Sequence, residues 1–402
     1  MRLGFLEGIG QVQIRSNVVL AGKVCLVVIL LLVGLTFFGC AGIKSSPEGG
    51  SGATIADGTL FLCPTLKQAA GGFSCAAPSG QGKLVAVNTS DGSRLWEVAL
   101  EASRPAGGGF GCAQPSVPVA IYGNPAVAGD LVYVGGYNGK ICAISASTHL
   151  SKDAYVNESN HQPIVGGPVV ALGKVYLGCA DGKVYALDAA SLDKEWEFQT
   201  GGKIWSTPAI DGDTLYIGSF DKKLYALNAS DGSKKWEFST DGAIISTPLV
   251  DNGTVYVGSF DRHLYAVDAS DGSLKWKFMA DSWFWAKPVI CNNVIYAGCL
   301  DNKVYALDAK TGDKISEFDL GSPIISSPVL VDSLVIIVSE EGKVFALDTG
   351  SNQPPRELAD LKEMVYAPLC ASNGVIYIYG TAQNLYALNA GSGARLWSQT
   401  IK

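Results

Sequence analysis

The chain has 402 residues, a net charge of −7, and only three histidines among its titratable groups. An acidic chain of this kind offers no basic surface for nucleic acid, and three histidines leave little room for imidazole-based acid–base or metal chemistry. Forty-eight glycines point instead to a protein rich in turns.

Residues 1–39 read as an export signal. Arg2, Arg15 and Lys23 precede an apolar run over residues 24–38, and Gly39-Cys40 follows. The Phe37-Phe38-Gly39-Cys40 ending resembles a bacterial lipobox, in which the cysteine becomes the acylated first residue, although Phe37 stands where leucine is usual. Cys40 is therefore the candidate lipidation site. Two other outcomes fit the same residues. Residues 24–43 form 20 uncharged positions, long enough to span a membrane as an uncleaved anchor, and the signal could also be cleaved to free the chain. All three put the rest of the protein outside the cytoplasm. Residues 40–52 are small, polar and rich in Gly and Ser, as suits a flexible tether.

From residue 53 to 402 the chain repeats. Pro208 is followed by Pro248, Pro288, Pro328 and Pro368, each 40 residues on, and Pro168 keeps the same step upstream, with Pro125 before it. A period in this range signals a repeat architecture. Within one period, residues 204–210, 214–218, 223–227 and 235–240 are short runs of Ile, Leu, Tyr, Trp and other strand formers. Turn residues such as Asp211-Gly212 and Ser230-Asp231-Gly232 separate them. Each period is thus a four-stranded antiparallel meander, and eight of them, marked by Ala86, Ala143, Ala186, Ala226, Ala266, Ala306, Ala346 and Ala387, predict an all-β, eight-bladed propeller. The first and last repeats each carry four strands, so the ring should close without a borrowed strand. Three insertions interrupt the pattern, at residues 64–82, 102–119 and 147–162, the last holding His149 and His161.

Ten residues after the marker alanine stand Trp96, Trp196, Trp236, Trp276 and, in the last repeat, Trp397. An Asp or Asn two after the Ala and a Gly six after it recur in most copies. The copies with Ala143, Ala306 and Ala346 lack the Trp, and Ser316 replaces it in the sixth. This Ala-x-Asp-x-x-x-Gly-x-x-x-Trp pattern resembles the tryptophan-docking motif of pyrroloquinoline-quinone-type (PQQ-like) repeat propellers. The resemblance implies that each Trp packs on the backbone of the next blade. The motif specifies a fold far more than a function.

Ten cysteines occur. Cys75 with Cys112 or Cys63 is the expected bridge in an exported chain. Cys179 and Cys299 take the place of Ser219 and Ser259 in sister repeats and read as small buried residues. Quinone-dependent dehydrogenases of the resembled family typically place an adjacent Cys-Cys disulfide over the cofactor, and a Glu and an Asn on calcium. This chain has no adjacent cysteines, so no catalytic, cofactor or metal site is expected. Asp181, Asp221, Asp261, Asp301 and Glu341 recur in the second turn, where Asp bonding to its own backbone is the expected role and cation binding the alternative. Asn124 and Lys287 precede prolines on innermost strands, and Lys287 is expected to project toward the axis.

In an up-and-down blade, the second turn and the blade-to-blade connection share one face. Phe220, Phe260, Arg262 and Trp283 are expected there, as a protein-binding surface centred on blades four to six. Trp283 either presents to a partner or covers the end of its own blade; Trp205 and Trp285 align with isoleucines and are expected in the core. In layout the chain resembles the BamB-like lipoproteins of the outer-membrane β-barrel assembly machinery. That likeness implies a non-catalytic, monomeric scaffold, held to a membrane by a lipid anchor and contacting protein partners. A ligand- or glycan-binding surface receptor and a quinone-dependent oxidoreductase are the alternatives.

Overall fold

The computed structural model describes residues 51–64, 82–100, 120–157, 161–351 and 353–401. The expected signal, Cys40, Cys75 and Cys112 lie outside the described residues. The rest forms eight four-stranded antiparallel sheets in a ring, each built from one continuous stretch of chain. The fold is an all-β, eight-bladed propeller.

Blade four shows why one period folds this way. Its strands are Ala209–Asp211, Thr214–Gly218, Lys223–Asn228 and Lys234–Ser239. Gly212, Lys222 and Gly232 have φ of +56°, +71° and +74° at the three turns, so the chain reverses at residues in the left-handed region. The third strand is buried across its centre because neighbouring blades cover both of its faces, whereas the outermost strand buries Trp236 and exposes Lys234, Lys235 and Glu237. The innermost strand is shorter than the apolar run 204–210 predicts. Residues 204–208 form the connection instead, ended by Pro208, which has no N–H for a ladder.

Blades are fastened by two repeated contacts. The first sets an apolar residue of each connection against a glycine ending the second strand of the preceding blade. Ile204 packs on Gly178, Ile244 on Gly218, Phe284 on Gly258 and Ile324 on Gly298, each so close that a Cβ on the glycine would collide. Blade eight has Tyr379 in place of that glycine, and its ring enters the core shared with blade one.

The second contact is the tryptophan. Trp196, Trp236 and Trp276 are each 8% exposed. Their Nε1–H groups donate to the carbonyls of Ala229, Ala269 and Ala309 at 3.1, 3.0 and 3.0 Å. Each ring lies against the turn glycine of the next blade, Gly232, Gly272 and Gly312. Trp397 of blade eight does the same on Thr89 and Gly92 of blade one, with an Nε1–O distance of 3.0 Å, and thereby closes the ring. Burying an indole removes roughly 150–250 Å² from water, worth a few kcal/mol at about 25 cal/mol per Å².

Four interfaces depart from this pattern, and between blades two and three the facing turn changes together with the Trp. Blade two presents Lys152 opposite Ala143, the place of the Trp, and blade three replaces the turn glycine by Leu192, which holds φ +60° and is 3% exposed. Leu192 joins the core between blades two and three. Between blades seven and eight, Leu358 lies against Gly393. Between blades one and two, His149 with φ +60° stands at the glycine position, and its ring meets Trp96 at 4.9 Å. The stretch 147–162 is therefore no simple insertion. It contains this docking turn and the outermost strand of blade two, Ser151–Tyr155.

A candidate protein-binding face

The second turns are built around a carboxylate. Asp221 Oδ1 accepts the Lys223 N–H at 3.1 Å, the expected turn bond. Its Oδ2 also accepts the Tyr225 hydroxyl at 2.6 Å and the N–H of Gly201, in the connection arriving from blade three, at 2.6 Å. Asp261 repeats this with His263, Tyr265 and Asp241, and Asp301 with Lys303, Tyr305 and Asp281. Asp181 bonds Lys183 and Tyr185 and takes the Asn157 amide. One carboxylate thus ties the turn, the third strand and the incoming connection together. Burial alone would push the Asp261 carboxyl up; the hydrogen bonds from Tyr265, His263 and Asp241 outweigh it and hold the group below its usual range. These aspartates point inward, and the bond to their own turn backbone expected from the sequence is one of several that each of Asp221, Asp261 and Asp301 accepts. Among the described residues no group of three or more His, Cys, Asp and Glu converges as a metal site.

The connection and the second turn do share a face, because the Phe220 N–H donates to the Lys203 carbonyl at 2.9 Å and the Leu300 N–H to that of Trp283 at 3.0 Å. Phe220 meets Trp205 edge-on, with centroids 4.8 Å apart and rings at 72°. Phe260 stacks on Trp283 at 4.4 Å and 14°, and lies 5.7 Å from Trp285. All five rings are partly exposed. Trp205 and Trp285 therefore belong to this surface and not to the core, which their alignment with isoleucines had suggested; Phe284 between them is the core residue, 1% exposed. Trp283 covers the turn of blade five rather than the end of its own blade six, so it bridges two blades.

Arg262 stands at the tip of the same turn as Phe260, exposed, with φ +73°. Its guanidinium makes no ion pair with a described residue, unlike the lysines of the outer strands, such as Lys183 with Glu197. On blade two, Tyr122 and Tyr137 form a further ring pair at 5.6 Å. Blade seven replaces the aromatic by Glu340, whose carboxyl burial raises above its usual range while the Tyr366 hydroxyl bonds it at 3.2 Å. The face is thus aromatic over blades four to six and more polar over blade seven. Trp205 and Trp285 were missed in sequence because alignment to isoleucine hides them; their alternation with isoleucine every second blade was the available signal.

Toward the axis, the residues before the innermost strands of successive blades touch. The Gly167 N–H donates to Thr207 Oγ1 at 2.9 Å, the Lys287 N–H to Ser327 Oγ at 3.1 Å, and Ser206 Oγ to the Ser246 carbonyl at 2.9 Å. Lys287 is half-buried and its ammonium is pushed below the usual lysine range by burial. Three of the described cysteines are shielded from reaction. Cys63, Cys179 and Cys299 are free, fully buried thiols whose ionisation burial suppresses. Among the described residues the collar supplies amide, hydroxyl and ammonium groups and no converging carboxylates, a set that does not fit a quinone held over calcium.

The sequence profile of the family described as "Outer membrane protein assembly factor BamB" matches residues 54–148, 80–206 and 200–399. No curated protein sequence matches the chain. Among solved structures, BamB from Moraxella catarrhalis superposes with a TM-score of 0.64 at 18% identity, covering 84% of this chain and 95% of that one. The computationally designed Ika8 protein gives 0.65 at 13% identity, over 89% and 98%. The quinohemoprotein alcohol dehydrogenase ADHIIG from Pseudomonas putida HK5 gives 0.60 at 15% identity, over 70% and 66%. At such identities the structural likeness concerns the fold alone.

Proposed function

The chain belongs to the PQQ-like repeat family described as outer membrane protein assembly factor BamB, and from this premise we propose that it is a non-catalytic scaffold outside the cytoplasm, tethered to a membrane through Cys40 and serving outer-membrane protein assembly. Its partner is a protein, held on the face of the second turns. The observation that carries this reading is the run of partly exposed rings over blades four to six, Trp205 with Phe220 and Phe260 with Trp283 and Trp285. Aromatic anchors with a neighbouring arginine are the composition of binding hot spots, and Arg262 supplies an unpaired cation beside them. The rings already pack on one another, so little side-chain entropy is lost on docking.

The test is a Phe260→Ala, Trp283→Ala double variant, checked for folding, used to recover partners from membranes. Loss of a partner that the unaltered protein retains supports the reading. Recovery of every partner at unchanged yield overturns it.

The second reading, a quinone-dependent oxidoreductase, has only the shared fold of a quinohemoprotein alcohol dehydrogenase behind it. A quinone absorbance in the purified protein, with dye reduction by an alcohol or sugar, would establish it in place of the scaffold.

A further inference from the structure

The collar around the axis carries one charge that nothing in the fold explains. Before the proline that leads into the innermost strand in blades two to eight stand Asn124, Gly167, Thr207, Thr247, Lys287, Ser327 and Ala367, small or neutral residues apart from Lys287. The Lys287 ammonium makes no ion pair or hydrogen bond with a described residue, although the residue is half-buried. Holding an unpaired ammonium partly out of water is unfavourable, and a threonine or methionine would occupy the place without that cost. Ser327 Oγ accepts the Lys287 N–H and so keeps its own O–H to donate. Across the ring, on blade two, Asn124 Oδ1 is buried with no donor, a second polar group without a partner in the same tier. Its side chain is held over Gly52 of blade one, where a Cβ would collide with it.

We propose that this collar is a binding site for a compact oxyanion, a carboxylate or a phosphate, gripped by Lys287 with the Ser327 hydroxyl beside it. The site is separate from the aromatic face, and its existence does not depend on the partner proposed there.

The experiment compares thermal unfolding of the purified protein in chloride, acetate and inorganic phosphate at matched ionic strength. A ligand that binds only the folded state raises Tm saturably by linkage. The unaltered protein is expected to show a saturable rise with acetate or phosphate over chloride, and the stronger of the two identifies the oxyanion. Lys287→Met should lose the increment, with affinity down at least about tenfold as for one charge-assisted contact, and should be no less stable than the unaltered protein in chloride. Lys287→Arg should keep the increment, and Lys203→Met, on the rim, should leave it unchanged. No increment in the unaltered protein, or the same increment in Lys287→Met, overturns the proposal. If Lys287→Met does not fold, equilibrium dialysis of the unaltered protein and of Lys287→Arg against labelled phosphate and acetate decides: no stoichiometric binding of either anion refutes the site.

Discussion

The Tyr386 hydroxyl donates a 2.5 Å hydrogen bond to Glu363 Oε1, and Glu363 lies in the connection, not in the turn that supplies this acceptor in other blades. Blade eight has Ala382 where they have aspartate. Glu363 reaches over from the connection and also accepts the Ala382 N–H at 2.7 Å and the Asn384 amide at 3.0 Å. Where the tyrosine is gone, the inward carboxylate is gone too. Blade two pairs Cys142 with Asn138, and blade seven pairs Phe345 with an exposed Glu341.

This compensation makes a two-step prediction. Glu363→Ala should destabilise the protein by about 1.5–3 kcal/mol, the range for a hydrogen bond to a charged group, read from urea unfolding. Adding Ala382→Asp should restore part of the loss, by rebuilding the arrangement of blades four to six. No recovery in the double variant would show that the carboxylate's origin matters more than its presence.

The tryptophan contact predicts a second pair of outcomes. Trp236→Ala should cost about 3–5 kcal/mol, as for aromatic truncation in cores; a loss under about 1 kcal/mol would contradict the docking role. Leu192→Gly should cost only about 1–3 kcal/mol, because the cavity is offset by relief of the left-handed strain at φ +60°. Combining it with Lys152→Trp rebuilds the motif between blades two and three, and the pair should be more stable than Leu192→Gly alone.

Acid should unfold the ring through its turn carboxylates. The folded carboxyls of Asp261 and Asp268 lie below their ordinary range, Asp268 at about 2. For Asp268 the Ser270 hydrogen bonds are the leading cause. A depressed folded value gives stability that is complete above the unfolded pKa, about 3.9 for Asp, and lost as pH falls through the folded one. Stability measured by urea titration should therefore be level with respect to these groups at neutral pH and decline from about pH 4 downward. Asp261→Asn should shrink the decline; an unchanged slope would assign the acid sensitivity elsewhere.

The proposed tether has a chemical test. Cys40→Ser should abolish labelling by a fatty-acid probe and release the protein from membranes, since a multi-chain lipid anchor is stable where one chain is marginal. A variant that stays embedded as an intrinsic membrane protein would favour residues 24–43 as a spanning segment.

Most of the fold was legible because its signals are local and repeated. Proline spacing, the Asp-Gly turns and the marker alanine each report one blade, and eight copies average out the errors of any one. The boundaries were less legible where connection and strand share composition, as at residues 204–208. The site was read only in outline. Phe220, Phe260 and Trp283 could be placed by topology, but whether Trp205 and Trp285 line the core or the rim depends on a half-turn of side-chain direction in an irregular segment. The role of Glu363 was invisible, because its partner Tyr386 lies 23 residues away and no sister blade uses that position.

The bond from Trp397 to Thr89 joins residues 308 positions apart, whereas the equivalent bond from Trp236 to Ala269 spans 33. Every sheet, and every interface except one, can therefore form from chain segments that are already neighbours in sequence. Loop-closure entropy is concentrated in the single seam between blades eight and one. That seam is where an assembled arc of seven interfaces would be waiting for its last, and where the native ring would open first. Cutting the chain between two other blades and joining the present ends would move the seam without removing a strand pair, so the order in which the blades are synthesised is a property of the gene and not a requirement of the ring.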